Sequence, residues 1–230
     1  MNQGELFEDN NPSAFEMPQG LSALYELSID AYYAALYAQM SELPIEKEIF
    51  RFIEKVKKAG CDFSGGKNGG DKTAENREAA MKAATDRGDP DVNTVLKAAG
   101  KVGHEIHRLI GLLRFSPDSN GVFTARCAPD HFILPALADH FSLRFGITPW
   151  AIIDEMRGLC LRKQDADEAQ LVPWPPVMPH ADTSKKNQTD SWEDLWRLYH
   201  RSINNEGRKN LRLQRQLMPE RYRKYLNELS

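Results

Sequence analysis

The chain has 230 residues, with 30 Lys+Arg against 33 Asp+Glu, a formal net charge of −3, and 41% hydrophobic residues. That length can bury a real core in one large domain or two small ones, and the composition excludes collagen-like, mucin-like, disulfide-scaffold and globally disordered chains. No apolar run approaches the roughly 20 residues of a membrane helix, and residues 1–20 hold no apolar core of a secretory signal.

In chain order, residues 1–20, rich in Asn, Pro and Gly, read as a poorly ordered leader. Leu21–Met40 is predicted as one helix with Leu24, Leu27, Tyr32 and Leu36 available for burial. Pro44 suits the first turn of a second helix, Ile45 to Ala59, whose Ile49, Phe52, Ile53 and Val56 share a face. Residues 60–72, with Gly65-Gly66 and Gly69-Gly70, form a flexible loop. A short Ala-rich helix follows over Thr73–Asp86.

The clearest helix runs from Asp91, as N-cap, to Leu113, with Val92, Val95, Leu96, Ala99, Val102, Ile106, Leu109 and Leu113 on one face. Glycine costs about 1 kcal/mol against alanine inside a helix. Gly100, Gly103 and Gly111 therefore predict a close approach to this backbone. Ser116–Gly121 is turn chemistry, and Val122–Cys127 alternates like a strand. Pro129-Asp130 opens a helix carrying Leu134, Leu137, His140, Phe141 and Phe145, closed by Gly146. Trp150–Ile153 and Leu159–Arg162 are strand candidates around a hairpin at Glu155–Gly158. Residues 164–190, with Pro173-Trp174-Pro175-Pro176, form an extended strap. Ser191 opens a final helical region, and Pro219 begins a last short helix. The expected fold is α+β, mainly helical, with a small antiparallel sheet in the second half and residues 21–230 as one domain.

The charge is uneven. Residues 1–50 hold nine acids against the single base Lys47, net −8, whereas residues 194–230 hold nine bases against four acids, net +5. Such asymmetry suits a basic surface for a polyanion or an acidic partner, or simply a solvated face. On a helical wheel, Trp192, Leu195, Trp196, Tyr199, Ile203, Leu213 and Leu217 share one side if the helix continues past Gly207. Arg197, Arg201, Arg208, Arg212 and Arg215 then line the other over roughly 27 Å at 1.5 Å per residue. Guanidinium groups in such an array can grip successive phosphates. Glu206, Asn210 and Gln214, spaced i, i+4, i+8, fall on the apolar side and are expected to form an inward polar ladder.

Signals of catalysis are sparse. His104 and His107 lack a third ligand, so no metal site is expected. Phosphate loops, nucleophile elbows and paired Cys-x-x-Cys motifs are absent from the sequence. The cysteines Cys61, Cys127 and Cys160 are isolated and odd in number, which points to a reducing, cytoplasmic setting, and they lack the close spacing of an iron–sulfur site, so no cofactor is expected in this chain. Asp154 and Arg157 form either a loop-borne site or a turn-stabilising pair.

Several segments carry a resemblance when taken together: Gly-Leu-Leu-Arg114-Phe over 111–115, Gly-Val-Phe-Thr-Ala-Arg over 121–126, Pro129-Asp-His131, His140-Phe-Ser-Leu-Arg-Phe145, and Trp150-Ala-Ile-Ile-Asp154 with Arg157. Leu195-Trp196 with Tyr199 follows, then Ile203-x-x-Glu206-x-Arg208-x-Asn210, Gln214, Met218-Pro219 and Arg221-Tyr222. In order and spacing this set, over residues 20–229, resembles a bacterial family of uncharacterised proteins assigned to DNA metabolism or repair. One departure is that the family's opening Tyr-Asp-Gly-type segment has no counterpart before Leu21, so a site relying on it would be missing. The resemblance implies a DNA-repair context, a radical-SAM protein as partner, and a related domain fused to a uracil-DNA-glycosylase-like domain. It implies an accessory protein that binds DNA, with cluster chemistry left to the partner. Two alternatives stand beside it: an enzyme acting on a nucleobase or nucleotide through His140, Asp154, Glu206 and Asn210, and a scaffold that docks the radical-SAM partner.

Overall fold

A computed structural model describes residues 17–18, 20–62, 72–118, 120–164, 168–174, 191–208 and 210–226. The side chains of residues 62, 72, 73, 191–193 and 206 are outside that description. The chain divides into two compact units, Ser13–Ile106 with Asp130–Ile133, and His107–Pro129 with Leu134–Ser230.

The first unit is helical. Its elements are α1 (Leu21–Leu27), α2 (Ile29–Met40), α3 (Glu46–Asp62), α4 (Lys72–Thr85) and α5 (Pro90–Leu112) as far as Ile106. The expected single helix over Leu21–Met40 is broken at Ser28, whose hydroxyl accepts the Ala31 N–H at 3.3 Å and starts α2 as its N-cap. Ile49, Phe52, Ile53 and Val56 are buried as their shared face requires. Gly60 lets α3 approach α1, because a Cβ there would lie 2.8 Å from Leu27 Cδ2. The N-cap of α5 is Asp89 rather than Asp91. Asp89 Oδ1 accepts from Asp91 N at 2.9 Å and Val92 N at 3.1 Å, and Pro90 takes the first helical position, where a missing N–H costs nothing. Asp91 instead pairs with Arg51 at 3.3 Å and Lys55 at 3.0 Å.

Among the described residues, no neighbouring segment comes close to the α5 glycines. A Cβ on Gly100 or Gly111 would find nothing within 4 Å, and one on Gly103 only the Tyr37 ring, at 3.9 Å. Buried Glu105 does shape the fold. Its two oxygens accept the N–H groups of Asp130 at 2.9 Å and His131 at 3.0 Å, and Phe132 N–H reaches Met40 O at 3.0 Å. These bonds hold the Asp130–Ile133 segment within the helical unit.

The second unit is built on a five-stranded sheet ordered β1-β2-β3-β4-β5. The strands are β1 (Ser116–Pro117), β2 (Phe123–Cys127), β3 (Trp150–Asp154), β4 (Leu159–Lys163) and β5 (Gln170–Pro173). A sheet in the second half of a mainly helical α+β chain agrees with the sequence, but the sheet is mixed. β2 and β3 run parallel, Cys127 opposite Asp154, while the other three pairs are antiparallel. The physical cause is α6 (Leu134–Phe145), the crossover that a parallel pair requires. It packs on the sheet through Phe141 and Phe145, whose rings lie 6.1 and 6.5 Å from Trp150. β3 and β4 form the expected hairpin, turning through Gly158 at φ +62°. Part of the expected strap is regular, since β5 pairs Val172 with Cys160.

Beyond β5 the unit continues with α7 (Ser191–Ile203), a 3-10 turn (Glu206–Arg208), α8 (Leu211–Leu217) and α9 (Glu220–Arg223). Among the described residues, no helix is long and apolar enough to cross a membrane.

Candidate nucleic-acid interface

The C-terminal region differs from the wheel in two respects. It is not one helix. Asn205 Oδ1 accepts Gly207 N–H at 3.0 Å, and Asn210 Oδ1 accepts Leu213 N–H at 3.0 Å as the N-cap of α8. Asparagine side chains that bond nearby backbone in this way compete with helix continuation. The apolar side is also not buried: Leu195, Trp196, Tyr199, Ile203, Leu213 and Leu217 are all exposed, as are Leu198 and Leu211. Periodicity records amphipathicity, not a partner for the apolar side.

Two of the three ladder residues have described side chains, and neither is buried. Asn210 is exposed and spends its carbonyl oxygen on the cap, and Gln214 is half-buried. The side chain of Glu206 lies outside the described residues. Arg201, Arg208, Arg212 and Arg215 are exposed, and among the described residues none of the four is in an ion pair. Arg197 is half-buried and reaches Asp194 at 3.4 Å. The Trp196 and Tyr199 rings lie 5.8 Å apart at 35°. Arg114, whose Nη1 donates to Gly111 O at 2.9 Å, holds its guanidinium 6.0 Å from the Trp196 ring.

A second cluster stands at the carboxyl ends of the parallel strands. Asp154, 0% exposed, closes β3. Its Oδ1 accepts the N–H groups of Met156 at 2.9 Å and Arg157 at 3.2 Å, and its Oδ2 accepts from Arg157 Nη1 at 2.8 Å. The same Nη1 donates to Pro129 O at 3.1 Å. Asp154 and Arg157 thus form the turn-stabilising pair. His140, half-buried on α6, meets Phe141 edge-on at 4.9 Å, and no hydrogen bond joins it to Asp154.

Beside this pair is a hub that the sequence did not disclose. Glu155 binds Tyr225 at 2.6 Å, Lys224 at 3.3 Å and Arg126 at 3.4 Å. Burial works to raise the Glu155 pKa, but bonds from Tyr225, Lys224 and Arg126 outweigh it and hold the carboxyl below its usual value. Tyr225 is pushed up, by burial first and then by the bond to Glu155. The one local signal was an acid directly after a strand, where a carboxyl end often gathers polar groups. Burial pushes the Cys160 thiol up to about 11, which keeps it protonated at neutral pH. Among the described residues, no three His, Cys, Asp or Glu side chains gather as a metal site, and His104 and His107 are both exposed.

A family model described as a domain of unknown function, DUF4130, matches residues 73–228, more than half of the chain. The chain belongs to that family. No curated protein and no solved structure matches it. The DUF4130 match takes in the whole sheet, the Asp154 pair, the Glu155 hub and the five C-terminal arginines.

Proposed function

We propose that this protein is an accessory component of DNA metabolism that binds nucleic acid through its C-terminal helices and leaves the chemistry to a radical-SAM partner. The observation that carries the reading is the exposure of Arg201, Arg208, Arg212 and Arg215 with no carboxylate paired to them among the described residues. Surface charges of both signs are normally interspersed, and a run of open guanidinium groups is the footprint of a polyanion. The same region carries exposed aromatic rings, which suit bases better than a bare phosphate. Binding is favoured over catalysis because Asp154 has both oxygens engaged within its own turn.

The test is fluorescence anisotropy with labelled oligonucleotides across a salt series. Four phosphate contacts to a single strand predict a slope of log K against log salt of about −3. Reversing all four residues (R201E, R208E, R212E, R215E) is expected to weaken binding at least tenfold, since each lost contact removes released counterions. Salt-insensitive binding, or full affinity in the reversed variant, overturns the reading.

A further inference from the structure

We infer that Glu155 and Tyr225 are positioning residues for the nucleic-acid surface: by docking the C-terminal segment on the sheet they set where α8 presents Arg212 and Arg215. The inference rests on the nucleic-acid reading above and deepens it, because it names what holds two of the four open arginines in place.

By itself α8 has little hold on the fold. Six of its seven residues are exposed and Gln214 is half-buried. A helix this short is marginal without packing, so its place has to come from the chain on either side. On the amino side stand the turns capped by Asn205 and Asn210, where helical hydrogen bonding is interrupted. The carboxyl side is different. Met218 N–H donates to Gln214 O at 2.8 Å, Tyr222 N–H to Pro219 O at 3.1 Å, Tyr225 N–H to Tyr222 O at 3.1 Å and Leu226 N–H to Arg223 O at 3.0 Å. No glycine interrupts residues 208–226, and the ring of Pro219 fixes its φ, here at −54°. The link from α8 to Leu226 is therefore short and stiff.

That link is fastened where it reaches the sheet. Tyr222 and Leu226 are each 1% exposed and anchor it by burial. Between them, Lys224 and Tyr225 both reach Glu155 Oε2, at 3.3 and 2.6 Å, while Arg126 meets the other carboxylate oxygen at 3.4 Å. Glu155 directly follows β3 and Arg126 lies on β2, so the carboxylate belongs to the sheet and the two donors to the segment. Hydrogen bonds to an ionised carboxylate are about twice as strong as neutral ones. Cations fixed before the ligand arrives lower the ordering cost of binding. By reciprocity, a ligand held on α8 must favour the docked segment by the same factor.

The experiment uses the full chain, a labelled oligothymidylate across a salt series, and amide exchange at Tyr222 and Leu226 with and without the oligonucleotide. In the unaltered protein, saturating oligonucleotide is expected to raise protection at both residues. E155A is expected to lower that protection and to weaken binding about fivefold or more. Its salt slope should fall from about −3 to about −1.5, as two of four phosphate contacts are lost. R212Q/R215Q should weaken the unaltered protein severalfold yet change E155A little, a coupling that a general loss of stability does not produce. Y225F, which removes only the hydroxyl, is expected to give the same pattern in weaker form and serves where E155A fails to fold. Unchanged affinity and slope despite lost protection, or losses that simply add, overturn the positioning role and leave the arginine reading standing. Undiminished protection in both variants overturns it as well. Absence of binding by the unaltered protein overturns the arginine reading and this inference with it.

Discussion

The Tyr225 hydroxyl donates a 2.6 Å hydrogen bond to Glu155 Oε2 across a sequence separation of 70. Glu155 in turn donates its N–H to Cys127 O at 3.0 Å, so the end of β2, the turn after β3 and the C-terminal segment meet at one carboxylate. Tyr222 and Leu226 are buried on either side of this contact. The exposed α7 and α8 are therefore followed by a segment firmly fastened to the sheet unit.

That fastening is acid-sensitive. The Glu155 carboxyl is held below its usual value, so the folded state favours its ionised form. The resulting stabilisation is fully present above the ordinary glutamate pKa of about 4.3 and is lost as pH falls through the lowered value. Amide-exchange protection at Tyr222 and Leu226 is expected to hold at neutral pH and to fall in the acid range below about pH 4. In E155Q protection should be weaker at neutral pH and lack that acid step. An unchanged step in E155Q would assign it to another group.

Asp154 and Arg157 are predicted to act on stability. Asp154 is fully buried, and the Arg157 side chain is only 15% exposed. Removing one partner of such a pair strands the other charge and typically costs about 3–5 kcal/mol. D154A should lower the urea midpoint accordingly, with D154N intermediate because its amide oxygen still accepts from the turn. A D154N protein with an unchanged midpoint but abolished function would show the carboxylate to be catalytic instead.

Gly100 lies in mid-helix on an exposed position with open space around it. G100A is expected to raise stability by about 0.5–1 kcal/mol, the helix-propensity difference alone. Thermal melts of the two proteins measure it. A lower melting temperature would reveal a close contact that the geometry does not show.

What the sequence disclosed follows from the range of each interaction. The buried faces of α3 and α5 were legible because a 3.6-residue period is local and strong. So was the Asp154–Arg157 pair, three residues apart within one turn. The Ser28 break was not, because Leu24 to Leu36 gives apolar residues on nearly every side. The parallel pairing of β2 with β3 depends on how α6 returns the chain, which no strand pattern encodes. The Glu155–Tyr225 bond joins residues too distant for any spacing rule. At the C-terminus the wheel advanced about 100° per residue through Asn205 and Asn210 as though they were ordinary helix. It therefore set on one rod residues that the structure divides between α7, a 3-10 turn and α8.

Asn210 has a mechanical consequence. A straight array of five arginines would dictate its own spacing to whatever it held. With α7 ending at Ile203 and α8 beginning anew at Leu211, the row is jointed. Arg197 and Arg201 ride on one short plate, Arg212 and Arg215 on the next, with Arg208 at the joint. Under the proposed function a jointed row would take its curvature from the ligand, so the bend of a bound strand, rather than the pitch of a helix, would set how many of these cations engage together.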